Sequence, residues 1–285
     1  MYFLNAAHAY NNVSRFARVM TGESQTLDGL AAGYRRAFTA MRPFTAPQAG
    51  WSVSFEDGQW GEYLIANNIF DGIFVGVTES SQDQRERWST QLAEAAQSVR
   101  DLDPNLGRVV DLLVTDIVLL NSERNGGGSA SHLPGLVCMS PAPGWEAADF
   151  AQSLVHEAIH LNLFIADMVH GLYTLPASEL AADHYRVLSA VKIGQMRPLD
   201  KAFHAAVVAV PLMYMEHQWG RSELVDQFTA SLRDATEGLC GKREYFTDYG
   251  QTLVTQLREF AVNLDFDAVA EAITSPEFAS YPVAV

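Results

Sequence analysis

Apolar positions recur along this chain with two periods, and the change between them divides it into unlike halves. From Gln25 to Met41 the residues Leu27, Leu30, Ala31, Tyr34, Phe38 and Met41 fall on one stripe at helical spacing, and Pro43 and Pro47 punctuate its end. Strand-like runs follow at 51–55, 60–65 and 69–77, with Asp57-Gly58 and Asp71-Gly72 as turn signals. The helical period returns over 82–102, where Trp88, Leu92, Ala95, Val99 and Leu102 form an inner stripe. The apolar, β-branched run 109–120 predicts a strand, 121–129 a glycine-rich loop, and 136–139 a short strand.

Beyond Trp145 the pattern is helical almost throughout. One helix is predicted from about Trp145 to His170, ended by Gly171 and Pro176, and a second over 177–194. A third starts at Pro198, a favoured first helical position, and runs toward Trp219 with Pro211 expected to kink it. Three more are predicted over 222–239, 244–262 and 266–274. No internal repeat or low-complexity linker interrupts the chain. The expected class is α+β and mainly helical, a single domain over 1–285. Its mixed half, 1–144, would carry a small sheet, and its helical half, 145–285, the chemistry.

Composition narrows this picture. With 285 residues, 48% apolar and 19% charged, the chain is globular and long enough for a sizeable core. No apolar run is long enough to cross a bilayer, and the N-terminus lacks a basic start and a signal-peptide layout. Cys138 and Cys240 are the only cysteines, which points to a cytoplasmic protein with two lone thiols, although one bridge between them is compatible with the sequence. A net charge of -15 disfavours nucleic acid and favours a cationic peptide, while a solvated acidic surface is the simpler account of it.

The chemistry concentrates at His156-Glu157-Ala158-Ile159-His160, an HExxH set in an apolar run. Residues four apart share a helix face, so the two imidazoles can grip one metal ion with a carboxylate beside it. The alternative is a pair of histidines that hydrogen-bond in a core. A third His at 166 with Gly at 163 would extend the motif, but Leu163 and Ala166 stand there.

Two residues can serve as third ligand. Glu179 lies 19 positions after His160, a spacing and order similar to the gluzincin metallopeptidases, in which Glu157 would be general base on a zinc-bound water. An exposed carboxylate near a helix start is the ordinary account of Glu179. His204 is the other, on the third helix, with Arg197 two turns before it on nearly the same face. A guanidinium there points to a carboxylate co-ligand held bidentately. Outside hydrolysis, Glu157 could orient a ligand or a water.

Other candidates are weaker. Asp183 could steady a metal-bound imidazole, but Asp183-His184 reads more simply as a helix-surface pair. Glu216-His217 could line the pocket, His170 suits a helix C-terminus, and the Gly126-Gly127-Gly128 loop could be a lid or an ordinary surface loop. It is not a phosphate-binding loop, because no Lys-Ser/Thr pair follows the glycines.

The stretch Leu154 to Leu161, followed by Arg197-Pro198-Leu199-Asp200 and then His204-Ala205, resembles the HExxH-motif peptide-modification proteins of ribosomal-peptide gene clusters. The likeness covers about 55 residues, from Ser153 to Val210. It implies a non-haem iron(II), 2-oxoglutarate-dependent oxygenase that hydroxylates a β-carbon of a precursor peptide. Carried over, His156, His160 and His204 would be iron ligands, and Arg197 would clamp the distal carboxylate of 2-oxoglutarate. An all-histidine set departs from the two-His-one-carboxylate triad, which leaves Glu157 or Glu179 open as an oxygen ligand. A peptide-binding protein with a structural metal is a third reading.

Overall fold

The structure is a computed structural model, and it describes residues 1–282. It divides into two compact units, one formed by Val13–Phe164 and the other by Met1–Asn12 together with the chain from Ile165 onward. The predicted class holds, mainly helical with a small mixed sheet.

In the unit Val13–Phe164, helices α1 (Ala6–Thr21, in part) and α2 (Leu30–Phe38) lead to strand β1 (Ser52–Phe55) and helix α3 (Gln59–Ala66). Helix α4 (Gln82–Leu102) starts at a capping box in which Ser81 and Gln84 satisfy each other's backbone N–H groups. Asp103 ends it and caps helix α5 (Pro104–Leu113), with Pro104 in the first turn where its missing N–H costs nothing. Strands β2 (Asp116–Leu119), β3 (Gly126–Gly128) and β4 (Leu136–Ser140) complete a sheet of order β1-β2-β4-β3. The first three of these strands are parallel, and β3 runs antiparallel on the edge beside β4. Strands β2 and β4 are buried at every position, and apart from Asp116 and Ser140 at their ends they are apolar throughout.

One buried ion pair fastens the N-terminal ends of these strands. Arg42 donates to Asp116 at 2.5 Å, and also to the Thr115 hydroxyl and the Phe44 and Pro134 carbonyls. The other oxygen of Asp116 accepts from the Ser52 hydroxyl and the Trp60 indole. Every strong donor and acceptor is answered, so two buried charges are tolerated.

Helix α6 (Ala147–His170) runs across the division between the units. In the unit that begins again at Ile165, a short turn of helix, α7 (Ala177–Leu180), precedes a two-residue hairpin of β5 (Val187–Leu188) and β6 (Met196–Arg197). Helix α8 (Leu199–Gln218) is buried along almost its whole length, packed by α9 (Glu223–Cys240) and α10 (Asp248–Asn263) and touched by α11 (Phe266–Thr274). That surround explains why α8 has no polar face. Thr247 and Asp265 cap α10 and α11, and Leu264 turns left-handed between them at φ 50°. Among the described residues no helix is long and apolar enough to cross a membrane.

Four sequence expectations are corrected. The run 60–65 is helix α3 rather than a strand; Trp60 and Leu64 are four apart and both buried, so one apolar face satisfies the core. The run 109–120 splits, because the Asp103 cap and Pro104 start a helix that lasts to Leu113 before β2 begins. The run 69–77 is a turn segment with Phe70 at φ 67°, its Phe70 and Phe74 rings packed against Trp60, Val118 and Cys138 of the core. Finally, 177–194 is not one helix. Backbone at Ala182 goes extended after α7, and Gly194 at φ 75° turns the β5–β6 hairpin. Helix α1 lies outside the predicted elements, although Ala6, Ala9, Val13, Phe16 and Ala17 mark its buried stripe.

Candidate metal centre

Helix α6 presents its motif by arithmetic of the helical turn. Leu154, Val155, Ala158, Ile159 and Leu161 are buried and fix the helix in the core. His156 and His160, four apart, project from one partly open face with their Nε2 atoms 3.1 Å apart and rings 4.8 Å centre to centre. His160 also stacks on Phe164 at 6.3 Å. Two nitrogens each about 2.0–2.1 Å from one ion stand roughly 3 Å apart when the angle between them is near 90–110°. The pair therefore suits an ion, and the same separation suits one N–H···N hydrogen bond. Among the described residues no group of three or more His, Cys, Asp and Glu side chains is gathered that could hold a metal ion.

Glu157 lies one position round the helix and is buried. Its Oε2 accepts a 2.7 Å hydrogen bond from the Ser129 hydroxyl, and its Oε1 lies 3.9 Å from Nε2 of His156. Burial raises its carboxyl to a pKa of about 7, against the pull of the Ser129 hydrogen bond. Strand β3 passes directly over this carboxylate. A Cβ on Gly127 would meet Glu157 Oε1 at 2.6 Å and the Ser153 hydroxyl at 3.1 Å, so any side chain there must displace the carboxylate. Cys138 of β4 pairs with Gly128, and burial pushes its thiol up, with the Glu157 charge adding to the effect.

The glycine triplet is thus neither lid nor free loop: it is an edge strand, and Ser129 just past it holds the motif's carboxylate. Sequence reasoning missed Gly127 and Ser129. Their signal was the unbroken Gly126-Gly127-Gly128 itself, a place where another group approaches backbone closely.

His156, Glu157 and His160 belong to the unit Val13–Phe164; Glu179, Arg197 and His204 belong to the other. Arg197 is not on the helix of His204. It sits in β6, paired with Val187, and Pro198 separates it from α8; the residue before a proline is pushed toward extended backbone. Its guanidinium is half-buried and, among the described residues, makes no hydrogen bond or ion pair within 4 Å. Burial lowers its pKa, and the neighbouring Asp200 opposes that shift. His204 is partly buried on α8, one turn after the buried Asp200.

The remaining candidates resolve locally. Glu179 is exposed on the short α7, and Asp183 is exposed and paired to Arg186 at 3.2 Å. The Glu216 carboxylate is tied to Arg221 beyond the end of α8, and His217 stacks on Phe266 at 4.3 Å. His170 closes α6 as expected, within 2.9 Å of Asn12 Oδ1 and stacked on Tyr249. Cys138 and Cys240 are both free, the first buried and the second exposed. No family model matches the chain, and no curated protein is significantly similar to it.

Proposed function

We propose that this chain is a cytoplasmic non-haem iron(II), 2-oxoglutarate-dependent oxygenase that hydroxylates a β-carbon in a ribosomally made precursor peptide. The observation that carries the reading is the convergence of His156 Nε2 and His160 Nε2 at 3.1 Å on a partly open face of α6. The half-buried Arg197 guanidinium, without a hydrogen-bond or ion-pair partner among the described residues, supports it, since such a group is the usual match for a ligand carboxylate.

In this reading His156 and His160 would hold the iron from α6, and the resemblance adds His204 as third ligand and Arg197 as the clamp on the distal carboxylate of 2-oxoglutarate, both in the other unit. Iron(II) held there would supply oxygen activation, with 2-oxoglutarate oxidised to succinate and carbon dioxide. The chain's own part is positioning. Glu157 Oε1 lies 3.9 Å from His156 Nε2, beyond hydrogen-bond distance, and its carboxyl, raised by burial to a pKa of about 7, can hold or release a proton near neutral pH. Ser129 and Gly127 hold that carboxylate in place.

A zinc metallopeptidase is the second reading, and a carboxyl poised near 7 favours it, because that suits a general base. Against it, Glu179, the ligand it requires, is exposed on a four-residue helix. Reconstitution with Fe(II), 2-oxoglutarate, oxygen and a candidate precursor peptide separates the two. Succinate and a one-oxygen mass gain are expected. Peptide cleavage with Zn(II), and neither of those products with Fe(II), would replace the oxygenase by the peptidase.

A further inference from the structure

The edge strand over the motif is unlike an ordinary sheet edge. Exposed edges are normally blunted by lysine, proline or a bulge. Strand β3 consists of three glycines, Gly126 and Gly127 are partly exposed, and among the described residues its outer edge pairs with no strand and makes no backbone hydrogen bond. Side chains in a strand alternate between faces, and residues directly opposite in paired strands share a face. The glycines show what each face holds. Gly127 looks onto Glu157 Oε1 and the Ser153 hydroxyl of α6. Gly128 looks the other way, onto Phe70 Cδ1 at 3.2 Å and Ile73 Cδ1 at 3.3 Å. Ile73 is 37% exposed, so this apolar shelf continues into solvent.

We propose that the free edge of β3 is a docking strand for an extended, acid-poor peptide. The peptide residue opposite Gly127 presents its β-carbon on the face of Glu157 and the imidazole pair, and the residues on either side of it face the Phe70–Ile73 shelf. The proposal rests on the peptide-modifying reading above and adds a register to it. A strand added here lies about 4.8 Å from β3, with its main-chain groups satisfied by the glycine backbone. Because the glycines have no side chains, nothing on β3 stands between the peptide's side chains and the two faces. Substrate selection follows: apolar residues immediately before and after the modified one. The net charge of -15 disfavours acidic peptides.

The test uses the full-length, metal-free chain and a panel of blocked synthetic heptapeptides with one fixed central residue and randomised neighbours. Peptides retained should carry apolar residues at both flanking positions. Their binding should slow amide exchange within Gly126–Ser129 at least about tenfold. N-methylation of alternate peptide amides should abolish binding in one phase and spare it in the other. The variant Ile73→Lys should lose about tenfold in affinity for apolar-flanked peptides and gain acidic-flanked ones, a swap that mere loss of stability cannot produce. The proposal fails if no peptide is retained, if protection falls elsewhere, or if N-methylation is indifferent to position. It also fails if Gly126–Ser129 becomes protected with rising protein concentration alone, the signature of two copies pairing edge to edge. Binding is read without metal or turnover. Peptides bound on β3 without hydroxylation would sink the oxygenase reading alone, and hydroxylation without protection of β3 would sink this one alone.

Discussion

Gly127 and Glu157 are fitted to each other: a single methyl on the glycine would stand 2.6 Å from the carboxylate oxygen that faces His156. The carboxylate cannot swing aside freely, because its other oxygen is held by Ser129 and the whole group is buried. Gly127→Ala is therefore expected to fold, to lose about 1–3 kcal/mol of stability from overpacking, and to lose nearly all turnover. Urea denaturation and single-turnover assays on the same preparation check both parts. Wild-type turnover in the variant would mean that the Glu157 position is immaterial to the chemistry.

The same burial gives stability a pH dependence. In the fold the Glu157 carboxyl has a pKa of about 7, against 4.5 for the free side chain. The folded state thus holds this proton more tightly than the unfolded state, and stability falls as pH rises from about 4.5 to 7. Above that range both states are ionised and the cost stays constant, on the order of 3 kcal/mol. In metal-free protein, Glu157→Gln should gain about that much over wild type between pH 5 and pH 8. Parallel denaturation curves at the two pH values, with chelator present, would show it; equal differences at both would contradict the raised pKa.

Ser129→Ala sharpens the role of the hydroxyl. Its hydrogen bond pulls the Glu157 pKa down. Removing it should push that pKa further up and move the acid limb of the pH–rate profile to higher pH. An unchanged limb with lower rate would assign Ser129 to packing alone.

What the sequence made legible follows from how local each feature is. The HExxH helix, the helical half and α4 are written in apolar spacing, and all three are present. The strand expected at 60–65 failed because a short apolar run suits a buried helix face as well as a strand, and only the sheet beside it decides. The start expected at Pro198 holds to within one residue, but the face shared by Arg197 and His204 does not, because Arg197 lies before the helix in extended backbone. Gly127 and Ser129 were only half legible: the glycine triplet marks a close approach to backbone, but the group that approaches, 28 positions from Ser129, is not encoded in local pattern.

The Arg42–Asp116 pair offers a test of the unit that carries the motif. Both groups are buried, and the guanidinium is answered by Asp116, Thr115, Phe44 and Pro134. Arg42→Met leaves the Asp116 carboxylate buried without its countercharge, so a loss of about 3–5 kcal/mol is expected. A change below about 1 kcal/mol in the urea midpoint analysis would show that solvent reaches Asp116.

Arg197 decides between the two chemistries. If its half-buried guanidinium clamps a 2-oxoglutarate carboxylate, Arg197→Met removes charge-assisted hydrogen bonds worth about 2–3 kcal/mol, or about 30- to 150-fold in affinity. That loss should appear as a raised KM for 2-oxoglutarate, with peptide binding unaltered. Arg197→Lys should recover only part of it, because an ammonium keeps the charge and loses the planar fork. Titration with 2-oxoglutarate under anaerobic Fe(II) gives the same comparison without turnover. A zinc peptidase predicts the reverse, no response of cleavage to 2-oxoglutarate in wild type or either variant, and that outcome would leave Arg197 as a structural residue of the β5–β6 hairpin.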